Sequence, residues 1–125
     1  MSQFLKQAVG GKYWDEKAND WLVVKRAKKD FTAATADQEI VALVTAKKIR
    51  VLKLIIATGA TISTLFLESS TTTAISPVLT PAANTILTLE DQNGLFETAA
   101  GESLTGTTAG ASGVQGVEVI YVEAD

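Results

Sequence analysis

Beyond Gly10, the apolar residues of this chain occur in short runs that are rich in β-branched side chains and separated by turn-forming residues. The clearest runs cover residues 21–26, 38–44, 47–58, 84–90 and 114–123. Such runs, punctuated by Gly, Pro, Asn and Asp, are typical of antiparallel strands. No convincing helical periodicity follows Gly10. The sequence therefore predicts an all-β protein, an antiparallel β-sandwich or jelly-roll-like domain with an extended N-terminal arm.

The run at 47–58 has the strongest strand pattern. Strict alternation predicts apolar side chains on both of its faces: Ile49, Val51 and Ile55 on one, and Leu52, Leu54 and Ile56 on the other. A strand that is apolar on both faces is typical of a central strand between two layers. Residues 61–68 are predicted to pair with it in a hairpin that turns at 58–60.

The first twenty residues are predicted to be an irregular arm, with the sandwich domain covering residues 21–125. Large apolar side chains in a polar terminal segment pack either on their own subunit or on another chain, and both interpretations stay open. The candidate contacts to a capsid or to a neighbouring subunit are Phe4, Leu5, Tyr13, Trp14, Trp21, Lys25 and Arg26.

The types of residue present argue against most catalytic and metal chemistry. The chain has no histidine and no cysteine, and no basic residue follows Lys53. Zinc sites, haem sites and activated nucleophiles need those residue types. Glu97 and Glu102 are a conceivable acid–base pair, but solvated or backbone-capping roles are favoured for them. We expect no enzyme activity, no cofactor and no metal.

Charge is distributed unevenly along the chain. Residues 1–30 carry a net charge of +3, and residues 31–125 carry −6. Four of the basic residues cluster in five positions: Lys25, Arg26, Lys28 and Lys29. Such a cluster can indicate nucleic-acid binding. Here a strand would point the side chains in alternate directions, and the acidic pI of about 4.9 opposes nucleic-acid binding. No signal peptide and no apolar bilayer-length run is visible, so we expect cytoplasmic synthesis and no membrane partner.

Three segments together resemble a family of small virion proteins from tailed phages and prophages. They read Lys48-Ile49-Arg50-Val51-Leu52, then Gly94-Leu95-Phe96-Glu97-Thr98-Ala99-Ala100-Gly101-Glu102-Ser103-Leu104, then Val119-Ile120-Tyr121-Val122-Glu123. The similarity covers roughly residues 46–123, and the Phe-Glu-Thr-Ala-Ala-Gly-Glu block is its most specific part. Within that block, Phe96 is predicted to be a core residue and Gly101 to occupy a tight turn.

The resemblance implies a structural role in the virion and marks no catalytic residue. Small β-sandwich proteins of such phages serve as trimeric decoration (cement) proteins on the capsid, or as parts of tails and fibres. The first role implies the major capsid protein as partner, a homotrimer and a location on the capsid surface. The alternative is a tail or fibre component with a receptor- or carbohydrate-binding role.

Overall fold

The computed structural model describes residues 11–15, 17, 19–31, 36–60, 63–71, 73–110 and 115–125. Within them it has eleven strands: β1 (Lys12–Asp15), β2 (Asp20–Val23), β3 (Lys25–Phe31), β4 (Gln38–Val41), β5 (Lys48–Thr58), β6 (Ser63–Ser69), β7 (Thr73–Ala74), β8 (Ile86–Glu90), β9 (Phe96–Glu97), β10 (Leu104–Gly110) and β11 (Gln115–Ala124). Over these ranges no helix is long and apolar enough to cross a membrane. The prediction of an all-β, sandwich-like fold is confirmed.

Two antiparallel sheets form the body of the molecule. The first, here the β5 sheet, has the order β3-β11-β5-β8, and β9 pairs with the same side of β5 as β8 does. The second, the β6 sheet, has the order β4-β10-β6-β7. The inner faces of both sheets supply one buried core, which includes Ile49, Val51, Leu54, Ile56, Val117 and Val119 from the first and Ile40, Leu65, Leu67 and Leu104 from the second. Such face-to-face burial is what holds a β-sandwich together.

A β-bulge in β5 overturns the predicted assignment of its faces. The ladder to β11 pairs Lys53 with Ile120 but Val51 with Tyr121, so Leu52 is the extra residue. Ile49 and Val51 before the bulge, and Leu54 and Ile56 after it, consequently all belong to the core. A bulge shifts the alternation by one residue, and that shift cannot be read from a uniformly apolar run.

The predicted hairpin between β5 and β6 is also wrong. The two strands lie in different sheets, because the chain crosses the sandwich between them. The end of β5 is instead bonded to the segment that leads into β8. The Thr58 amide donates to the Thr85 carbonyl oxygen at 2.9 Å, and the Thr58 hydroxyl donates to the Ala82 carbonyl oxygen at 2.6 Å.

The segment predicted as an irregular arm is in part a β-hairpin. β1 and β2 pair antiparallel from Lys12 opposite Val23 to Asp15 opposite Asp20, so the boundary placed after residue 20 falls inside β2. The hairpin covers the outer face of the β5 sheet beside the bulge. There Tyr13, Leu52 and Val122 form a second buried cluster, with Leu22 and Val24 packed against it.

Candidate functional site

Arg50 is the residue that ties the hairpin to the β5 sheet. Its side chain, only 12 % exposed, lies on the outer face of β5. Nε donates to Glu97 Oε2 at 2.7 Å, and Nη1 lies 3.5 Å from Asp15 Oδ1 at the end of β1. One guanidinium therefore joins β5, β9 and β1 through two carboxylates.

These contacts stabilise the protonated, positively charged form of Arg50. Burial alone lowers the pKa of the guanidinium, because it removes water from the cation. The hydrogen bond to Glu97 and the negative charges of Glu97 and Asp15 outweigh that effect and raise the pKa above its ordinary value. Arg50 is thus a permanent cation within a paired, partly buried network.

Gly94 gives the Arg50 side chain the room that it needs. The predicted turn at 91–94 is confirmed: the Gly94 amide donates to the Asp91 carbonyl oxygen at 3.0 Å, and the Asn93 amide donates to Asp91 Oδ1 at 2.8 Å. Gly94 has a φ of +102°, and a Cβ at this position would lie 2.8 Å from Arg50 Cγ. Any larger residue would displace the arginine and strain the backbone.

A cavity of about 230 Å³ lies between the hairpin and this turn. Its lining residues come from both parts of the chain: Tyr13, Trp14, Asp15, Lys17, Arg50, Gln92, Asn93 and Glu97. Gln92 is only 7 % exposed, and neither its Nε2 nor its Oε1 has a hydrogen-bond partner among the described residues. Buried amides are nearly always paired in folded proteins, so Gln92 marks the cavity as unusual.

The outer face of the hairpin presents an apolar patch. Trp14 and Trp21 pack edge to face, with ring centroids 5.2 Å apart and an interplanar angle of 66°. Trp21 is 42 % exposed and Val23 is 57 % exposed, while the intervening Leu22 faces the sheet. We call Trp21 and Val23 the hairpin patch.

The other predicted contact residues differ in burial and in their partners. Phe4 and Leu5 lie outside the described residues. Tyr13 is 5 % exposed and packs on its own subunit, because the bulge leaves Leu52 on the face that the hairpin covers. Lys25 Nζ lies 3.1 Å from Glu123 Oε2, and Arg26 Nε lies 3.8 Å from Glu118 Oε2, both on β11. The structure thus packs Trp14 on Trp21 at the outer face of the hairpin, and it turns Tyr13 to the buried face. Lys25 and Arg26 lie apart from them on β3.

The Phe-Glu-Thr-Ala-Ala-Gly-Glu block carries the chain from one sheet to the other. Thr98 Oγ1 accepts a hydrogen bond from the Ile49 amide at 2.9 Å, which fixes the block to the β5 sheet. Ser69 on β6 accepts from the Ala99 amide at 2.9 Å and donates to the Glu102 carboxylate. Gly101 has a φ of +75° and donates to the Lys47 carbonyl oxygen, which confirms the predicted tight turn.

The two glutamates of this block have separate structural partners. Glu97 pairs with Arg50, and Lys48 Nζ lies 3.5 Å from its other oxygen. Glu102 is held by Ser69. Phe96 lies opposite Val51 and packs, partly buried, against the core. Across the described part of the chain, no group of three or more Asp or Glu residues is placed to hold a metal ion.

Sequence reasoning missed the residues that form the cavity wall around Arg50. Asp15, Gln92 and Arg50 are distant in sequence, and no sequence motif contains more than one of them. An arginine inside the apolar run of β5 was the single available signal, since a charge at such a position requires partners.

No protein-family profile and no curated protein sequence matches this chain. Two solved structures show a general likeness. One is a chain of the Bacillus endospore appendages, described as a novel family of disulfide-linked pili, with 17 % identity over 83 % of this chain and 89 % of that chain and a TM-score of 0.49. The other belongs to the cyanophage Pam1 capsid asymmetric unit, with 15 % identity over 81 % and 85 % and a TM-score of 0.41. At these values neither likeness indicates a shared function.

Proposed function

We propose that this chain is a non-enzymatic structural protein of a virion, a decoration (cement) protein that binds the capsid exterior. Its partners in this proposal are the major capsid protein and two further copies of itself, after synthesis in the host cytoplasm. The resemblance carried by residues 94–104 supports a virion role. In the structure these residues join the two sheets, and Glu97 and Glu102 each have a separate partner, Arg50 and Ser69.

The hairpin patch is the observation that carries the proposal. Exposed tryptophans are costly in water and are enriched among the residues that dominate binding at protein interfaces. Trp21 and Val23 are exposed on the outer face of the hairpin. The other face of the hairpin is buried against the β5 sheet, and Arg50 contacts Asp15 at the end of β1. A rigid support lowers the entropy lost on binding, so the patch is suited to anchor the protein on a shell.

The proposal is tested with capsids that lack this protein. The double variant Trp21→Ser, Val23→Ser should weaken co-sedimentation with such capsids by about tenfold or more, as expected for loss of an interface anchor. Val78→Ser is the matched control, since Val78 is equally exposed but lies between β7 and β8. Equal saturation of capsids by the double variant and the wild type would contradict the assignment of the patch.

Nucleic acid is not part of this proposal, because Lys25 and Arg26 face carboxylates of β11.

The alternative is a tail or fibre component with a receptor- or carbohydrate-binding role. The cavity beside Arg50 favours that alternative. If the wild-type protein stays in the supernatant with every capsid preparation, the tail or fibre role becomes the better-supported function.

A further inference from the structure

We propose that the β8 edge, the side of β8 that faces away from β5, pairs with the same edge of a second copy of this chain. The two strands run antiparallel, with a twofold axis at Thr88. β8 is the last strand of the β5 sheet, and among the described residues no strand pairs with its other side. The inference goes beyond the proposed function, because it concerns contacts between copies that need no capsid.

The hydrogen bonds between β5 and β8 fix which residues of β8 face its neighbour. The Thr58 amide donates to the Thr85 carbonyl oxygen at 2.9 Å, and the Asp91 amide donates to the Leu52 carbonyl oxygen at 3.0 Å. Between these two bonds the ladder has no register shift. Bonded and non-bonded pairs alternate in an antiparallel ladder, so the odd-numbered residues of β8 bond to β5.

The even-numbered residues of β8 direct their backbone groups away from the sheet. These residues are Ile86, Thr88 and Glu90, and all three are exposed. Among the described residues, their N–H and C=O groups have no hydrogen-bond partner. Backbone groups require partners, so this row is satisfied by water or by another strand.

The β8 edge lacks the features that normally keep edge strands apart. β3, the opposite edge of the sheet, presents four basic residues. β8 has no lysine, arginine or proline, and its ladder with β5 has no bulge. Ile86 is 71 % exposed there. Edge strands of soluble proteins are usually protected by charge, proline or a bulge, so an edge without them is suited to pairing.

A second copy is the partner that this edge fits. When two β8 strands pair about an axis at Thr88, the two threonines face each other, and Ile86 faces Glu90 of the second copy. Every outward N–H group then meets an outward C=O group. Facing threonines are also a favourable cross-strand pair.

The antiparallel direction separates the acidic side chains. Glu90 is the one charged residue of β8. In the paired strands the two Glu90 residues lie at opposite ends, roughly 14 Å apart along the strand direction. That distance exceeds the Debye length of about 8 Å at physiological ionic strength, so their repulsion is largely screened. Parallel pairing would place the two carboxylates side by side.

The contact is small, which decides where it forms. Pairing through five residues buries much less than the roughly 1,600 Å² of a standard protein interface. We expect it to be weak in dilute solution and to form where copies are concentrated, as on a surface that holds many of them. It adds contacts to the trimer of the proposed function and does not replace it.

Amide hydrogen exchange of the ¹⁵N-labelled full chain, followed by NMR without capsids, tests the pairing directly. The amides of Ile86, Thr88 and Glu90 should exchange rapidly in dilute protein and become protected as the concentration rises. The amides of Leu87 and Leu89, which bond to β5, should be protected throughout and serve as the internal control. Rapid exchange at the highest concentration overturns the proposal. Protection that appears only on capsids assigns the edge to the shell protein and overturns it as well.

Thr88→Pro blocks the edge without breaking the ladder to β5. It removes an outward N–H group, and proline is tolerated on an edge strand where that group makes no bond. Analytical ultracentrifugation should show self-association at least tenfold weaker than that of the wild type. Thr88→Val is the matched control, since it keeps the N–H group and the branched shape. Equal self-association of Thr88→Pro and the wild type would sink the proposal.

Thr88→Lys is a second variant in case Thr88→Pro fails to fold, because position 88 is exposed. Two lysines would face each other across the axis, so self-association should weaken and should recover in part as salt is added. Wild-type self-association in both folded variants would overturn the proposal. Capsid co-sedimentation is a separate readout, so failure of the β8 pairing and failure of the proposed function can be told apart.

Discussion

At the scale of single residues, the roles that matter are set by partners far away in the sequence. Arg50 and Leu52 lie two positions apart on the outer face of β5, yet one contacts carboxylates at positions 15 and 97 and the other packs against Tyr13. Together they give the hairpin a polar and an apolar attachment. Removal of Arg50 would leave the carboxylates of Asp15 and Glu97 without that cation. Removal of Leu52 would leave Tyr13 without an apolar partner.

Glu68 leads to a prediction about pH. Burial on β6 raises the pKa of its carboxyl, and nearby Asp37 raises it further, against the lowering effect of the hydrogen bond from Thr107. A carboxyl whose pKa is raised by folding stabilises the fold fully below its unfolded pKa, and that contribution is lost as the pH rises through the folded value. Glu68→Gln should therefore raise the melting temperature at pH 7 more than at pH 4.

Thermal denaturation followed by circular dichroism checks this difference. Glu90→Gln, on the exposed side of β8, is the matched control and should show a much smaller change. A lower melting temperature for Glu68→Gln at pH 7 would show that the ionised carboxylate stabilises the fold instead.

At the scale of elements, the hairpin is a third layer attached to one face of the sandwich. A two-stranded hairpin is marginal in water by itself, so its stability depends on what it covers. Here it covers Leu52 and Val122, which the bulge in β5 and the end of β11 leave on the outer face. The hairpin and the bulge are therefore complementary features.

Tyr13→Ala should destabilise the protein by about 3 kcal/mol, because it removes a buried aromatic ring from this second cluster. Urea unfolding followed by circular dichroism gives the free energy. Trp21→Ala serves as the comparison, since it truncates an exposed ring of the same hairpin and should cost clearly less. Equal costs for the two variants would mean that the hairpin does not depend on its buried face.

At the scale of the whole molecule, β3 and β8 are the outer strands of the β5 sheet among the described residues, and the two edges differ in charge. The β3 edge carries Lys25, Arg26, Lys28 and Lys29, and charged side chains of this kind discourage strand pairing between copies. The β8 edge has no basic residue, and Ile86 is exposed there. Contacts between copies are therefore better supported through the β8 edge than through the β3 edge.

The proposed function predicts a trimer in solution, because three copies related by a threefold axis match a local threefold of a shell. Multi-angle light scattering should give a mass three times that of the 13.2 kDa chain. A monomeric mass at all concentrations tested would contradict the decoration role as proposed.

The amino-acid sequence by itself determined the fold class and the turns at 91–94 and around Gly101. Those features depend on local composition, since β-branched runs favour strands and glycines permit positive φ. Tertiary structure decided the bulge at Leu52, the crossing from β5 to β6, and the packing of Tyr13 on its own subunit. It also brought Asp15, Arg50 and Gln92 to one cavity. Each of these depends on which strands become neighbours, and pairing over long sequence distances leaves no local pattern to read.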